Sequence, residues 1–236
     1  MAKRKSAPYM SAGEQIAGTA FFVIYLVVLP FVTEPLFRLA ERLLGTDIPR
    51  SLQNVLYYYI LFAVTLIIFH GFLARTSRHF ADNLGLACQT VGVGLVALYG
   101  LNELVYRLSN LIITNRTNLN DTAISAQIDD APHTTMLIVI LLEPFVEEVL
   151  FRGLIFGNLK GKSPWVAYLV SCALFALLHV WQFAVVKQDV TYFLLMLQYL
   201  VPGLVLAWAY DHTGTLWTSI GIHAAANALS VWTMVG

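Results

Sequence analysis

Stretches of about 20 mainly apolar residues follow one another along the chain, and they constrain its fold more than any other feature. A helix needs roughly 20 such residues to cross the hydrocarbon core of a bilayer. Segments of this length and apolarity cross as helices, because a helix satisfies its own backbone hydrogen bonds in lipid. The pattern predicts an all-α protein, a polytopic transmembrane helical bundle of about seven spans, with limits of six to eight. The predicted spans are approximately 15–33, 55–73, 91–106, 135–156, 165–186, 192–210 and 216–235.

The low content of charged residues supports a membrane location for the whole chain. Of the 236 residues, 58% are hydrophobic and only 12% are charged, whereas about a quarter of a soluble globular domain is charged. We therefore predict one integral membrane domain over residues 1–236. The formal net charge is zero, so no electrostatic field favours nucleic acid, and we expect no nucleic-acid partner.

Three other features organise the chain. Lys3, Arg4 and Lys5 precede the first apolar stretch, which favours a cytoplasmic N-terminus because positive residues are enriched on that side of a membrane. The polar segment 114–134 is predicted to be a surface loop that divides three helices from four. Cys88 and Cys172 have no CxxC spacing, so we interpret them as small core residues and expect neither a disulfide nor a metal role.

The fourth predicted span carries four charged residues, and each one needs an explanation. A charge at the centre of a membrane helix costs roughly 2.5–3.5 kcal/mol on insertion scales. Glu148 and Arg152 are spaced i, i+4, which places them on one helix face and predicts an ion pair. That pair alone is compatible with a purely structural role. Glu147 lies about 100° around the helix and has no cation at i±3 or i±4, so it is expected to face a polar cavity. Glu143 lies one turn earlier on nearly the same face.

Two other spans contribute histidines. His179 ends the segment Phe175–His179 in the fifth span, and His223 and Asn227 are i, i+4 neighbours in the seventh. A lone histidine on an apolar helix is more often a hydrogen-bonded core residue than a ligand. Two histidines, an asparagine and an unpaired glutamate on three helices together indicate a hydrolytic site. A buried carboxylate can act as a general base towards water, and His–Asn donors can stabilise an oxyanion.

A zinc site is the alternative chemistry for these side chains. Glu147, His179 and His223 are of the types that bind Zn²⁺, but no H-E-x-x-H motif is present and only three plausible ligands exist. We therefore favour a mechanism without a metal or other cofactor, while zinc remains an open alternative.

Taken together, these motifs resemble the type 2 CAAX prenyl protease family, also called the CPBP (bacteriocin-processing) intramembrane protease family. Its pattern E-E-x-x-x-R matches Glu147 to Arg152, F-x-x-x-H matches Phe175 to His179, and H-x-x-x-N matches His223 to Asn227. The three motifs occur in the family's order within residues 135–236, which would carry the catalytic core. The front half of the chain resembles the family only in spanning the membrane.

The resemblance implies a membrane-embedded endopeptidase. It implies that Glu147 activates water with help from His179, that His223 and Asn227 form the oxyanion site, and that Glu148, Arg152 and Phe175 support them. The expected partners are a membrane-associated or lipid-anchored peptide and the bilayer itself, and the short loops indicate a bacterial cell membrane. The alternative is a non-enzymatic membrane protein of the same fold, either a transporter with a Glu/His proton relay or a scaffold or immunity protein.

Overall fold

A computed structural model describes residues 8–109 and 119–235, and all regular structure in those ranges is helical. The Lys3–Arg4–Lys5 cluster and residues 114–118 of the predicted loop lie outside these ranges. Nine helices are described in them. They are α1 (Ala12–Leu44), α2 (Arg50–Asp82), α3 (Leu84–Ser109), α4 (Leu119–Asp130), α5 (132–160), α6 (Pro164–Leu178), α7 (Trp181–Lys187), α8 (Val190–Thr213) and α9 (Leu216–Val235).

Four of these helices are long and apolar enough to cross a membrane, namely α1, α2, α3 over Leu84–Val105, and α8. The consecutive helices α6 and α7 meet at a 42° bend and would make a fifth span if they cross together. A polytopic helical membrane protein is therefore confirmed. Six of the seven predicted spans are continuously helical and the fifth is broken at residues 179–180, but α5 and α9 are too polar to pass as spans on composition, so the number seven stays a prediction.

Helix α5 is the centre of the bundle. It packs against α1, α2, α6, α8 and α9, and every residue from 144 to 154 is buried. Helix α8 packs between α3 and α6, and α9 lies against α3 and α5. The helix that carries Glu143, Glu147, Glu148 and Arg152 is thus surrounded by protein along its middle, which explains how it carries charges that lipid contact would penalise.

Two predictions from the sequence are wrong in the structure. Most of the segment predicted as a surface loop is helical, because α4 covers Leu119–Asp130 and α5 begins at Pro132. The proline at the first position of α5 suits a helix start, where its missing N–H has no partner to lose. Cys88 is exposed on α3, whereas Cys172 is buried as predicted, and both thiols are free.

A glycine on α3 permits close packing beside the predicted site. A Cβ atom at Gly94 would clash with the side chain of Ile222, which is fully buried and precedes His223, whereas a Cβ at Gly92 meets open space. Overpacking of this kind costs about 1–3 kcal/mol. We expect Gly94→Ala to lower the free energy of unfolding in detergent by that amount. The matched control Gly92→Ala should be neutral or stabilising, and equal stability of the two variants would contradict the packing.

Candidate active site

The acidic residues of α5 occupy a short α-helical segment, Glu143–Glu148, between two π-helical segments. The π segments are Ile138–Leu142 before it and Val149–Phe156 after it. A π-helical hydrogen bond spans five residues instead of four, so each such segment rotates the side chains that follow it relative to a regular α-helix. Segments of this kind are frequent at functional sites. The direction of the acidic side chains therefore depends on this irregular backbone.

Arg152 is fully buried and is held from three sides. Its Nη1 lies 2.9 Å from Oε1 of Glu148, although without the angle of a hydrogen bond. Its Nη2 donates to the carbonyl of Gly203 at 3.3 Å. The guanidinium also lies over the ring of Phe175, 4.3 Å from the centroid, where the negative ring face attracts a cation. The predicted contact between Glu148 and Arg152 is present, and Phe175 is in place to support it.

The same carboxylate also binds His223. Its Oε1 lies 3.0 Å from Nδ1 of His223, so Glu148 bridges Arg152 on its own helix and His223 on α9. As the partner of a guanidinium, Glu148 is a carboxylate, which can only accept a hydrogen bond. Nδ1 of His223 therefore donates, and Nε2 is the ring atom that faces Glu147, 3.9 Å from its Oε2. The sequence did not indicate this bridge, because spacing within one helix carries no information about contacts to another.

His179 approaches the same glutamate from α6. Its Nδ1 lies 2.9 Å from the carbonyl oxygen of Phe175, and a carbonyl can only accept, so Nδ1 carries the hydrogen. In the neutral imidazole the lone pair is then on Nε2, which lies 4.0 Å from Oε1 of Glu147. The ring of Tyr199 stacks on the imidazole, with 4.4 Å between centroids and 24° between planes. His179 is thus fixed in position with a hydrogen-bond acceptor directed at Glu147.

Glu147 lies between the two histidines, one beside each carboxylate oxygen. The side chain is buried, and its Oε2 has no hydrogen-bond partner among the described residues. The two gaps of 4.0 and 3.9 Å are too long for direct hydrogen bonds. A water about 2.8 Å from both atoms of either pair would be bonded at an angle of roughly 90°. The geometry therefore fits one water between the carboxylate and each imidazole.

Asn227 is on the same face of α9 as His223, one turn further on, but it has another contact. Its Nδ2 donates to the backbone carbonyl of Val139 at 2.8 Å. The structure thus gathers Glu147, His179 and His223 around one point, with Glu148, Arg152 and Phe175 behind them, while the Asn227 amide is turned towards the first π segment. Its role as an oxyanion donor stays a prediction.

Three aromatic or acidic neighbours were not predicted as site residues. Tyr58 on α2 donates to Oε1 of Glu143 at 3.2 Å, and Tyr199 on α8 stacks on His179. The sequence placed Glu143 one turn before Glu147, but it gave no indication that Tyr58 would bond to Glu143. Neither tyrosine belongs to a spacing pattern, since each reaches the site through the packing of its helix against α5 or α6.

The same donor atoms bear on the zinc alternative. Over residues 8–109 and 119–235, no three His, Cys, Asp or Glu side chains are grouped so that they could hold one ion. Nδ1 of His223 donates to Glu148, which leaves Nε2 as the ring atom that a metal would use, since a metal-binding histidine commonly donates its other N–H to a carboxylate. The choice between a metal-free site and zinc therefore stays a prediction, and no step below is routed through a metal.

A cavity of about 320 Å³ lies elsewhere, at the end of the bundle where the described chain begins. It is lined by, among others, His79, Asn83 and the ion pair of Lys160 with Asp211, and it contains none of the predicted catalytic residues. This cavity is not the candidate active site, because the buried carboxylate with an unpaired oxygen, Glu147, lies outside it.

Residues 130–229 match the family model described as Type II CAAX prenyl endopeptidase Rce1-like. The chain is also 30% identical over 121 residues to the UPF0177 protein YxdF of Lactococcus lactis subsp. lactis (strain IL1403). That alignment covers 51% of this chain and 60% of the relative's length. No solved structure matches the chain.

Proposed function

From the match of residues 130–229 to the family model Type II CAAX prenyl endopeptidase Rce1-like, we propose that this protein is an intramembrane endopeptidase. Its substrates are membrane-associated or lipid-anchored peptides, and the nucleophile is a water activated by Glu147. The observation that carries the proposal is the position of the Glu147 carboxylate, which is buried and has one histidine Nε2 beside each oxygen, at 4.0 and 3.9 Å.

The hydrogen-bonding roles of the two histidines differ, and the difference suits hydrolysis. A water between Glu147 and His179 meets two acceptors, the carboxylate and the Nε2 lone pair, so both of its hydrogens are directed at protein. Its oxygen lone pairs are then free to attack a carbonyl carbon. As the new C–O bond forms, Glu147 takes one proton from the water. When the C–N bond breaks, that proton passes to the leaving nitrogen, and the products are a carboxylic acid and an amine.

His223 is placed to stabilise the negative charge that develops on the substrate oxygen. Because Nδ1 donates to Glu148, an imidazolium form of His223 would present an Nε2–H towards the reacting centre. The carboxylate behind it stabilises the imidazolium and fixes its orientation, as an aspartate does behind a catalytic histidine. A preorganised donor of this kind contributes about 10²–10³ in rate.

The surroundings of the site favour an extended, membrane-associated substrate. Glu147 lies in the buried stretch of α5, and three of the four long apolar helices, α1, α2 and α8, pack against that helix. A folded soluble domain cannot reach such a position, whereas an extended peptide anchored in the bilayer can, and an extended chain also exposes the carbonyl that water must attack. We further propose a bacterial cell membrane with the N-terminus in the cytoplasm, on the basis of the leading Lys–Arg–Lys cluster.

The proposal is tested by reconstituting the protein in liposomes with two quenched fluorescent peptides, one carrying a C-terminal farnesyl-cysteine motif and one with an apolar membrane anchor. We expect cleavage of at least one of them. His179→Ala should lower the rate by about 10²–10³-fold, because it removes an acceptor for the attacking water. The control is His70→Ala. His70 is an exposed histidine of α2 whose Nδ1 contacts a backbone carbonyl, that of Ile67, as Nδ1 of His179 contacts the carbonyl of Phe175. The His70→Ala protein should cleave like wild type.

Two outcomes would contradict the proposal. Equal activity of the His179 and His70 variants would remove His179 from the mechanism. Absence of cleavage of either peptide, together with proton flux across the liposome that depends on Glu147, would identify a transporter instead.

A further inference from the structure

The backbone just before Glu143 contains a carbonyl that its own helix cannot pair. In the π segment Ile138–Leu142, the N–H of Glu143 bonds to the carbonyl of Ile138, five residues earlier. By the same pattern, the carbonyl of Val139 would accept from residue 144. That residue is Pro144, which has no N–H. Val139 is buried, so water does not readily satisfy this carbonyl, and an unpaired buried carbonyl is destabilising.

The side chain of Asn227 supplies the missing donor. Its Nδ2 lies 2.8 Å from the carbonyl oxygen of Val139, and the orientation of the amide is unambiguous because a carbonyl can only accept. Pro144 and Asn227 are therefore complementary, since the proline removes a donor from α5 and the asparagine on α9 replaces it. The hydrogen bond also joins α9 to α5 one helical turn from His223.

We propose that Asn227 is a positioning residue that stabilises the π-helical segment before Glu143 and thereby sets the direction of Glu147. If the π segment relaxed to an α-helical pattern, the side chains after it would rotate by about 100°, the angle of one residue. Glu147 would then leave the point where His179 and His223 meet. This inference rests on the proposed function for its effect on catalysis, but the hydrogen bond itself does not depend on it.

The role is distinct from donation to the substrate oxyanion, and a double-mutant experiment separates the two. Pro144→Ala restores a backbone N–H at residue 144, which is the donor that the Val139 carbonyl lacks within its own helix. We expect Asn227→Ala to lower kcat for the farnesylated or apolar-anchored peptide by about 10²-fold, with KM little changed, because misplacing a catalytic group by about 1 Å has an effect of that order. Adding Pro144→Ala to Asn227→Ala should raise kcat at least tenfold above that of the single variant.

Thermal unfolding in detergent gives a second readout that requires no activity. Asn227→Ala should lower the Tm, and Pro144→Ala should restore most of the decrease, because the two changes act on one carbonyl and are therefore not additive. The control is Pro35→Ala, which also removes a proline from inside a helix but lies in the part of α1 that has no buried residue. It should not restore kcat, and because removing a proline from a helix is itself stabilising, any rise in Tm should be the same with and without Asn227→Ala.

The proposal would be overturned if Pro144→Ala restored neither quantity in the Asn227→Ala protein. If the double variant recovered its Tm but its kcat stayed as low as that of Asn227→Ala, Asn227 would instead be a donor to the substrate oxyanion. If the wild-type protein cleaves neither peptide, the proposed function fails, whereas recovery or loss of Tm still decides whether Asn227 and Pro144 are coupled.

Discussion

Replacing Glu147 by glutamine should lower kcat for peptide cleavage by about 10²–10⁴-fold, the contribution of a well-placed general base. The amide has nearly the shape of the carboxylate but cannot accept the proton of the attacking water. Because Glu147 makes no direct hydrogen bond to either histidine, at 4.0 and 3.9 Å, the substitution breaks no contact that holds the bundle together. The measurements are kcat in liposomes and Tm in detergent, and Tm should stay within a few degrees of wild type.

The matched control for this experiment is Glu143→Gln, one turn earlier on the same helix. Glu143 bonds to Tyr58 and not to a histidine, and glutamine keeps an oxygen that can accept from the tyrosine, so the loss of kcat should be at most about tenfold. Full activity of Glu147→Gln would refute its assignment as the base. Inhibition by a chelator with recovery on addition of Zn²⁺ would show that a metal activates the water instead.

The largest effect on stability is expected for Arg152→Ala. The guanidinium and its partner Glu148 are both completely buried, so removal of the cation leaves a carboxylate in the protein interior without its compensating charge. Breaking a buried pair in this way costs about 3–5 kcal/mol. The variant also loses the contact of Arg152 with the Phe175 ring. We therefore expect a decrease of that size in the free energy of unfolding, measured by denaturant titration in mixed micelles.

An exposed pair with the same i, i+4 spacing provides the control. Arg107 lies 2.6 Å from Glu103, and the two side chains are 76% and 57% exposed. Exposed pairs of this type contribute about 0.3–0.5 kcal/mol, so Arg107→Ala should scarcely change stability. If Arg152→Ala were as stable as Arg107→Ala, the buried pair would not hold α5 in place. Adding Glu148→Ala to Arg152→Ala should recover part of the loss, because it removes the uncompensated charge.

Much of the architecture could be predicted because each helix carries its own signal. Apolar length predicts helices in lipid, and six of the seven predicted segments are continuously helical, while the fifth is broken at residues 179–180. The spacing of Glu148 and Arg152 predicts their ion pair, since i, i+4 geometry is local. The loop prediction was wrong because this segment carries no such local signal. Residues 119–134 are polar, and a polar composition does not distinguish a loop from an exposed helix when proline at position 132 can start one.

The sequence alone singled out Glu147, His179 and His223, because these are side chains that apolar helices exclude unless they have a function or a partner. Only the tertiary structure decided how these residues meet. The bridge from Glu148 to His223, the stacking of Tyr199 on His179 and the bond from Asn227 to the Val139 carbonyl each join helices far apart in the chain. Such contacts follow from the angles at which helices pack and from the π-helical segments of α5, and neither is encoded in the spacing of residues along one helix.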